Sequence, residues 1–156
     1  MKKIILLFLC FVLVGCMSVS VPNYIKDDYP YKKVFYSDFD TTLNVTEQSL
    51  RDLGWEITDK VEPTIFEKAK ELQDSNHKQI LLFTETKETL MFIGTRYSRV
   101  NVYLRSGENN TTGVEVRYFS LTAVPFKNFS GYRKDGLVSK LFERIKNYLD
   151  YKSPAK

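Results

Sequence analysis

Hydrophobic positions along this chain follow two periods, and each period predicts its own elements. From about Asp40 to Leu53, Leu43, Thr46, Leu50 and Leu53 recur at three- and four-residue steps, which makes one helical stripe. Asp38 or Asp40 is placed to cap the first turn through its carboxylate, and Gly54 supplies the left-handed residue that ends a helix. Trp55 then folds back onto the last turn. A period of two follows: Trp55, Ile57, Asp59 and Val61 alternate with Glu56, Thr58 and Lys60. Gln79 to Thr86 carries a short apolar run. Tyr97 to Arg105 sets Val100, Val102 and Leu104 against Asn101, Tyr103 and Arg105, and Gly113 to Thr122 sets Val114, Val116 and Tyr118 against Glu115, Arg117 and Phe119. Ser106 to Asn110 is a turn between them. Leu90-Met91-Phe92-Ile93-Gly94 is apolar without a clear period and is ambiguous; one reading makes it an extension of the Tyr97 strand through a bulge at Gly94. From about Lys134 to Asp150, Leu137, Leu141, Ile145 and Leu149 recur every four residues, a second helical stripe.

Residues 62–73 fit either a short helix, with Pro63 in its first turn, or a strand near Thr64 to Phe66. Sequential strands with short connections predict an antiparallel sheet, and two amphipathic helices need a sheet face to cover. The expectation is an α+β fold: a two-layer sandwich with about four antiparallel strands and two main helices on one face. Residues 34–152 form its single domain. Residues 16–33, with Pro22, Pro30 and no sustained period, read as a tether that reaches about 55 Å at roughly 3.3 Å per residue.

The first residues change the picture. Lys2 and Lys3 precede an apolar run of eleven residues, Ile4 to Val14. That is too short for a transmembrane helix, which needs about 20 residues, and it matches a secretory signal. Its end, Leu13-Val14-Gly15-Cys16, resembles the bacterial lipobox. The resemblance implies a signal peptide over 1–15, alkylation of the Cys16 thiol with diacylglycerol to a thioether, and cleavage between Gly15 and Cys16 (the palmitate-bearing anchor of a lipoprotein). The competing reading is an ordinary signal peptide, or an uncleaved anchor, with an incidental cysteine. The sequence holds two cysteines, Cys10 and Cys16, so a lipidated mature chain has no disulfide available to it. Met17 rather than Asp follows the cysteine, which by the family's sorting rule implies the outer membrane in a cell with two membranes and places the domain in the periplasm. The expected partners are the membrane itself, through Cys16, and an envelope protein. Nucleic acid is not expected, because export separates the chain from it.

The domain resembles a group of small bacterial lipoproteins of unknown function in which a helix ends in a Leu-Gly-Trp step, an antiparallel sheet follows and a terminal helix closes the fold. Here the step is Leu53-Gly54-Trp55, and the closing helix contains GLVSKLFERIKNYL. A similar module occurs in BamC, a lipoprotein accessory of the outer-membrane β-barrel assembly machinery. These are packing motifs, so they imply a fold and transfer no functional residue beyond Cys16.

Candidate chemistry is sparse. The one histidine, His77, sits in a polar turn and reads as an exposed loop histidine, the alternative being a lone general base or a pH-sensitive contact; base catalysis requires a positioned partner, which the sequence does not announce. No phosphate loop, nucleophile elbow or metal-spaced cluster is present, so no catalytic residue, metal or cofactor is expected. Charge is uneven: residues 127–156 hold eight basic and three acidic side chains, a net of +5. Lys140, Arg144 and Lys146 on the closing helix are candidates for contact with anionic lipid or an acidic partner, the alternative being a solvated helix face. Phe126, Phe129 and Tyr132 recur every three residues in a segment with Pro125 and Gly131, and read as a partner-binding cluster or as rings buried over a sheet edge. With 14% aromatic residues, the chain has rings enough for both. The leading expectation is a membrane-anchored, non-enzymatic binding or assembly module of the cell envelope. The alternatives are a small envelope hydrolase and a carrier or sensor of a lipidic or small ligand.

Overall fold

Two long β-branched and aromatic segments pair first in the hierarchy of this fold. The computed structural model describes residues 19–63, 66 and 77–152. In it, β5 (Gly94–Ser106) and β6 (Thr112–Val124), thirteen residues each, run antiparallel from Thr95↔Ala123 to Ser106↔Thr112. Asn109 and Asn110 make the turn in the left-handed region (φ 52° and 57°), which asparagine tolerates better than most residues. The other elements attach to this hairpin: β1 (Tyr31–Phe35), α1 (Phe39–Asp52), β2 (Ile57–Val61), β3 (Gln79–Thr84), β4 (Lys87–Met91), β7 (Lys127–Gly131) and α2 (Asp135–Lys152).

Each long strand is too long for a single neighbour. β3 pairs with Asn101–Arg105 of β5, and β4 pairs with Gly94–Ser98 of the same edge. Likewise β1 pairs with Thr112–Val116 of β6 and β7 with Ser120–Val124. β2 closes the far edge against β3. The result is one seven-stranded sheet in which every pairing is antiparallel.

This corrects the expected two-layer sandwich of about four strands with two helices on one face. The sheet has seven strands, and sheet rather than helix dominates the fold. The three strands the pattern did not announce are β1, β4 and β7, with sequences YKKVF, KETLM and KNFSG. Their side chains are mostly exposed, so no buried alternation marks them. The region 62–73 falls largely outside the described residues.

The core side of the sheet is apolar only in part. Val100, Val102 and Leu104 of β5 and Val114, Val116 and Tyr118 of β6 pack with Val45 and Leu50 of α1 and with Val138, Leu141 and Ile145 of α2. Further along the same face the period of two brings Ser98 and Arg96 opposite Ser120 and Thr122. These polar side chains offer a helix stripe nothing to bury against.

Helix α1 starts where Asp38 accepts the Thr41 amide at 2.8 Å. That bond holds the Asp38 carboxyl below its ordinary value, so the cap is complete above the carboxylate range and weakens as pH falls through it. The helix ends in a Schellman motif: Trp55 N–H donates to Leu50 O, Gly54 N–H donates to Arg51 O, and Gly54 has φ +73°. Trp55 is thereby buried, with the Lys87 amine 4.2 Å over its ring. Lys87 also donates to Leu53 O at 3.1 Å, which pins β4 to the negative end of α1. Burial in this corner lowers the Lys87 pKa.

The opposite face is covered by the segment before β1. Ile25 is fully buried there, and its N–H donates to the Asn101 side-chain oxygen at 2.7 Å. Tyr24 stacks on Phe66 at 5.1 Å and accepts a bond from Arg117 at 2.6 Å. The Arg99 guanidinium donates to Pro22 O at 3.0 Å and to the Asn23 side chain. From Pro22 onward, then, the stretch read as a tether lies against the sheet and joins it as β1.

Two outcomes test this packing by chemical denaturation. Leu141→Ala removes a fully buried side chain between α2 and the sheet and lowers stability by about 2–5 kcal/mol. Asn101→Ala orphans the buried Ile25 amide and costs about 1–3 kcal/mol. A loss under about 0.5 kcal/mol at both positions contradicts the arrangement.

Candidate functional site

The sequence-predicted site residues disperse. Gly15 and Cys16 lie outside the described residues. On α2, Lys140 and Lys146 are exposed, but six residues at 3.6 per turn set them about 120° apart around the helix. Arg144 is engaged: it pairs with Asp52 of α1 at 3.4 Å, and the same carboxylate accepts the Tyr148 hydroxyl at 2.5 Å. That hydrogen bond raises the Tyr148 pKa. These three cations therefore form no single basic face.

Carboxylates elsewhere are also paired. Glu115 stands 2.5 Å from Arg117 and 3.2 Å from Lys32, beside a groove of about 310 Å³ lined in part by Tyr103 and Arg105. Glu47 is bound by Lys60 and Arg51, and Asp40 by Lys78. Among the described residues, no group of three His, Cys, Asp or Glu side chains is arranged to hold a metal ion.

The aromatic cluster divides. Tyr132 turns back and meets Phe119 edge-on at 5.3 Å. Phe126 and Phe129 stay in solvent, with the Lys127 amine 4.9 Å over the Phe129 ring. They belong to the β6–β7 hairpin, whose two-residue turn is Pro125-Phe126. Beside it lies the β4–β5 hairpin, whose two-residue turn is Phe92-Ile93. The two tips lie at the same end of the sheet because Thr95 pairs with Ala123 and Gly94, at φ +102°, lies against β6. A Cβ on Gly94 would stand 2.0 Å from the Ala123 carbonyl oxygen.

Together the tips expose Leu90, Met91, Phe92, Ile93, Phe126 and Phe129. Phe92 is 102% exposed, Leu90 85% and Phe126 83%. Single exposed apolar residues are ordinary, whereas a contiguous group marks an interaction surface. The backbone supports the same reading. Phe126 has φ 71°, the left-handed position where a Pro-initiated turn normally carries glycine. A bulky side chain there costs about 1–2 kcal/mol. The fold bears that cost and gets no burial from the ring.

Sequence reasoning singled out Phe126 and Phe129 but offered a strand extension for Leu90 to Ile93. Four consecutive apolar residues fit a buried strand as well as an exposed tip. The signal that separates them is the glycine that follows, which closes a two-residue hairpin.

Compared with known proteins, the chain matches no family model and no curated sequence.

Replacing the strained ring tests the site. Phe126→Gly raises stability by about 0.5 kcal/mol or more, the relief of the left-handed position less the entropy that glycine loses on folding. Urea titration of both proteins checks it. A loss above about 1 kcal/mol means the ring is packed, not presented.

Proposed function

We propose that this protein is a lipid-anchored, non-enzymatic module of the cell envelope that works by contact, through the paired hairpin tips. The observation that carries the reading is the group of apolar side chains held in solvent at the end of the sheet away from the two described helices. A domain with a complete core has no internal use for it. The lipobox at Leu13 to Cys16 supports the anchor and the envelope location, and Met17 after the cysteine supports the outer membrane where a cell has two. Among the described residues, no helix is long and apolar enough to cross a membrane, so in this reading membrane attachment runs through Cys16. An acyl anchor contributes about 0.8 kcal/mol per buried CH₂, and two or more chains make it stable.

Two variants separate anchoring from contact. Cys16→Ser loses palmitate labelling and leaves the membrane fraction; normal labelling and retention of that variant overturn the anchor. Phe92→Ser combined with Phe126→Ser keeps label, membrane location and stability to within about 0.5 kcal/mol, because both side chains are exposed. It nevertheless fails to complement a strain lacking the protein. Full complementation by the double variant removes the hairpin tips from the function.

A further inference from the structure

We infer that the two hairpin tips enter the surface of the phospholipid bilayer itself, so that the domain holds the membrane at two places, the acylated Cys16 and the tips. The inference deepens the reading above by naming the occupant of the contact surface, and it rests on that reading only for the position of the anchor.

Shape points to lipid. Phe92 and Phe126 stand in tight two-residue turns, with Leu90, Met91 and Ile93 exposed beside Phe92, and the two rings are almost wholly in solvent. Convex apolar tips insert into the acyl boundary without a complementary pocket, and aromatic side chains favour that boundary.

Charge is arranged to match. The two hairpins, residues 87–98 and 120–131, carry three basic side chains (Lys87, Arg96, Lys127) and one acidic one, Glu88. None of the four lies on the turns. Arg96 is two residues behind Gly94, where it donates to Thr122 at 3.2 Å, and Lys127 directly follows Phe126. With the rings in the acyl boundary, Arg96 and Lys127 stand level with the phosphates, as flanking cations do at membrane interfaces.

Chain length brings the anchor to the same end. Ile25 is bound at Asn101 and Pro22 at Arg99, so the segment runs toward the N-terminal end of β5 as it approaches Cys16. Arg99 lies five residues from Gly94, about 17 Å along the strand. Six residue steps lead from Pro22 to Cys16 and span at most about 20 Å. The chain is therefore long enough for an anchor at Cys16 to stand level with the tips.

The test uses the full acylated chain in vesicles of phosphatidylethanolamine and phosphatidylglycerol, with Trp introduced as Phe92→Trp or, at the other end of the same strands, as Glu108→Trp. The native Trp55 is the chain's one tryptophan and is buried, so it gives a constant background in both. Position 92 has no packing for the new ring to disturb. Phospholipids brominated on their acyl chains should quench most of the added emission of Phe92→Trp and shift it to the blue, and should leave that of Glu108→Trp unchanged. Unquenched emission at position 92 in vesicle-bound protein overturns the insertion and leaves the anchor standing. Palmitate labelling of the same samples reports the anchor separately: quenching at 92 in an unlabelled Cys16→Ser chain supports insertion while refuting a required anchor. Equal quenching at 92 and 108 means unspecific adsorption and overturns the proposal. So does a photoreactive residue at position 92 in cells that crosslinks to one protein rather than to lipid.

Discussion

Twelve register pairs between β5 and β6 set the frame to which every other element is fitted. Two strands of thirteen residues give the sheet more length than either helix stripe can cover. The face of the pair changes character part-way along: Val100, Val102 and Leu104 with Val114, Val116 and Tyr118 on one stretch, Ser98 and Arg96 with Ser120 and Thr122 on the next. Helices gather where the face is apolar. Beyond that point the sheet is finished by two short edge strands alone, β4 and β7, and the turns that connect them become the end of the molecule.

What the sequence made legible follows from burial. Helix α1, its Asp38 cap, its Gly54 end and the folding back of Trp55 all show as residue types at fixed offsets, because each satisfies a local backbone demand. The α2 stripe and the alternation in β5 and β6 show because a core enforces a period. β1, β4 and β7 stayed hidden for the converse reason: an edge strand such as YKKVF pairs through its backbone, and its outward side chains are under no periodic constraint. The cover formed by Tyr24 and Ile25 was hidden too. It depends on one amide meeting Asn101, a residue 76 positions away, and no local pattern encodes such a meeting.

The candidate site was half legible for a related reason. Phe126 and Phe129 stood out because rings beside Pro125 and Gly131 are unexpected in a connecting segment. Leu90 to Ile93 looked like ordinary strand material, since hydrophobicity reports that a side chain avoids water in general and not whether this fold lets it do so. The deciding fact is three-dimensional: Gly94 against Ala123 brings the two turns side by side and leaves both sets of side chains without cover.

The seating of Pro22, Asn23 and Ile25 on the sheet also decides how the domain answers a pull on its N-terminus. Tension there does not reach β1 first. It arrives at the Arg99 guanidinium, then at the bond between Ile25 and Asn101, and only afterwards at the Tyr31–Val116 pairing of the edge strand. Each contact lies further along the chain, so they release one after another and not together. The segment thus behaves as a graded slack line: a weak tug frees a few residues of length, and the sheet itself is loaded only when the buried isoleucine has come away.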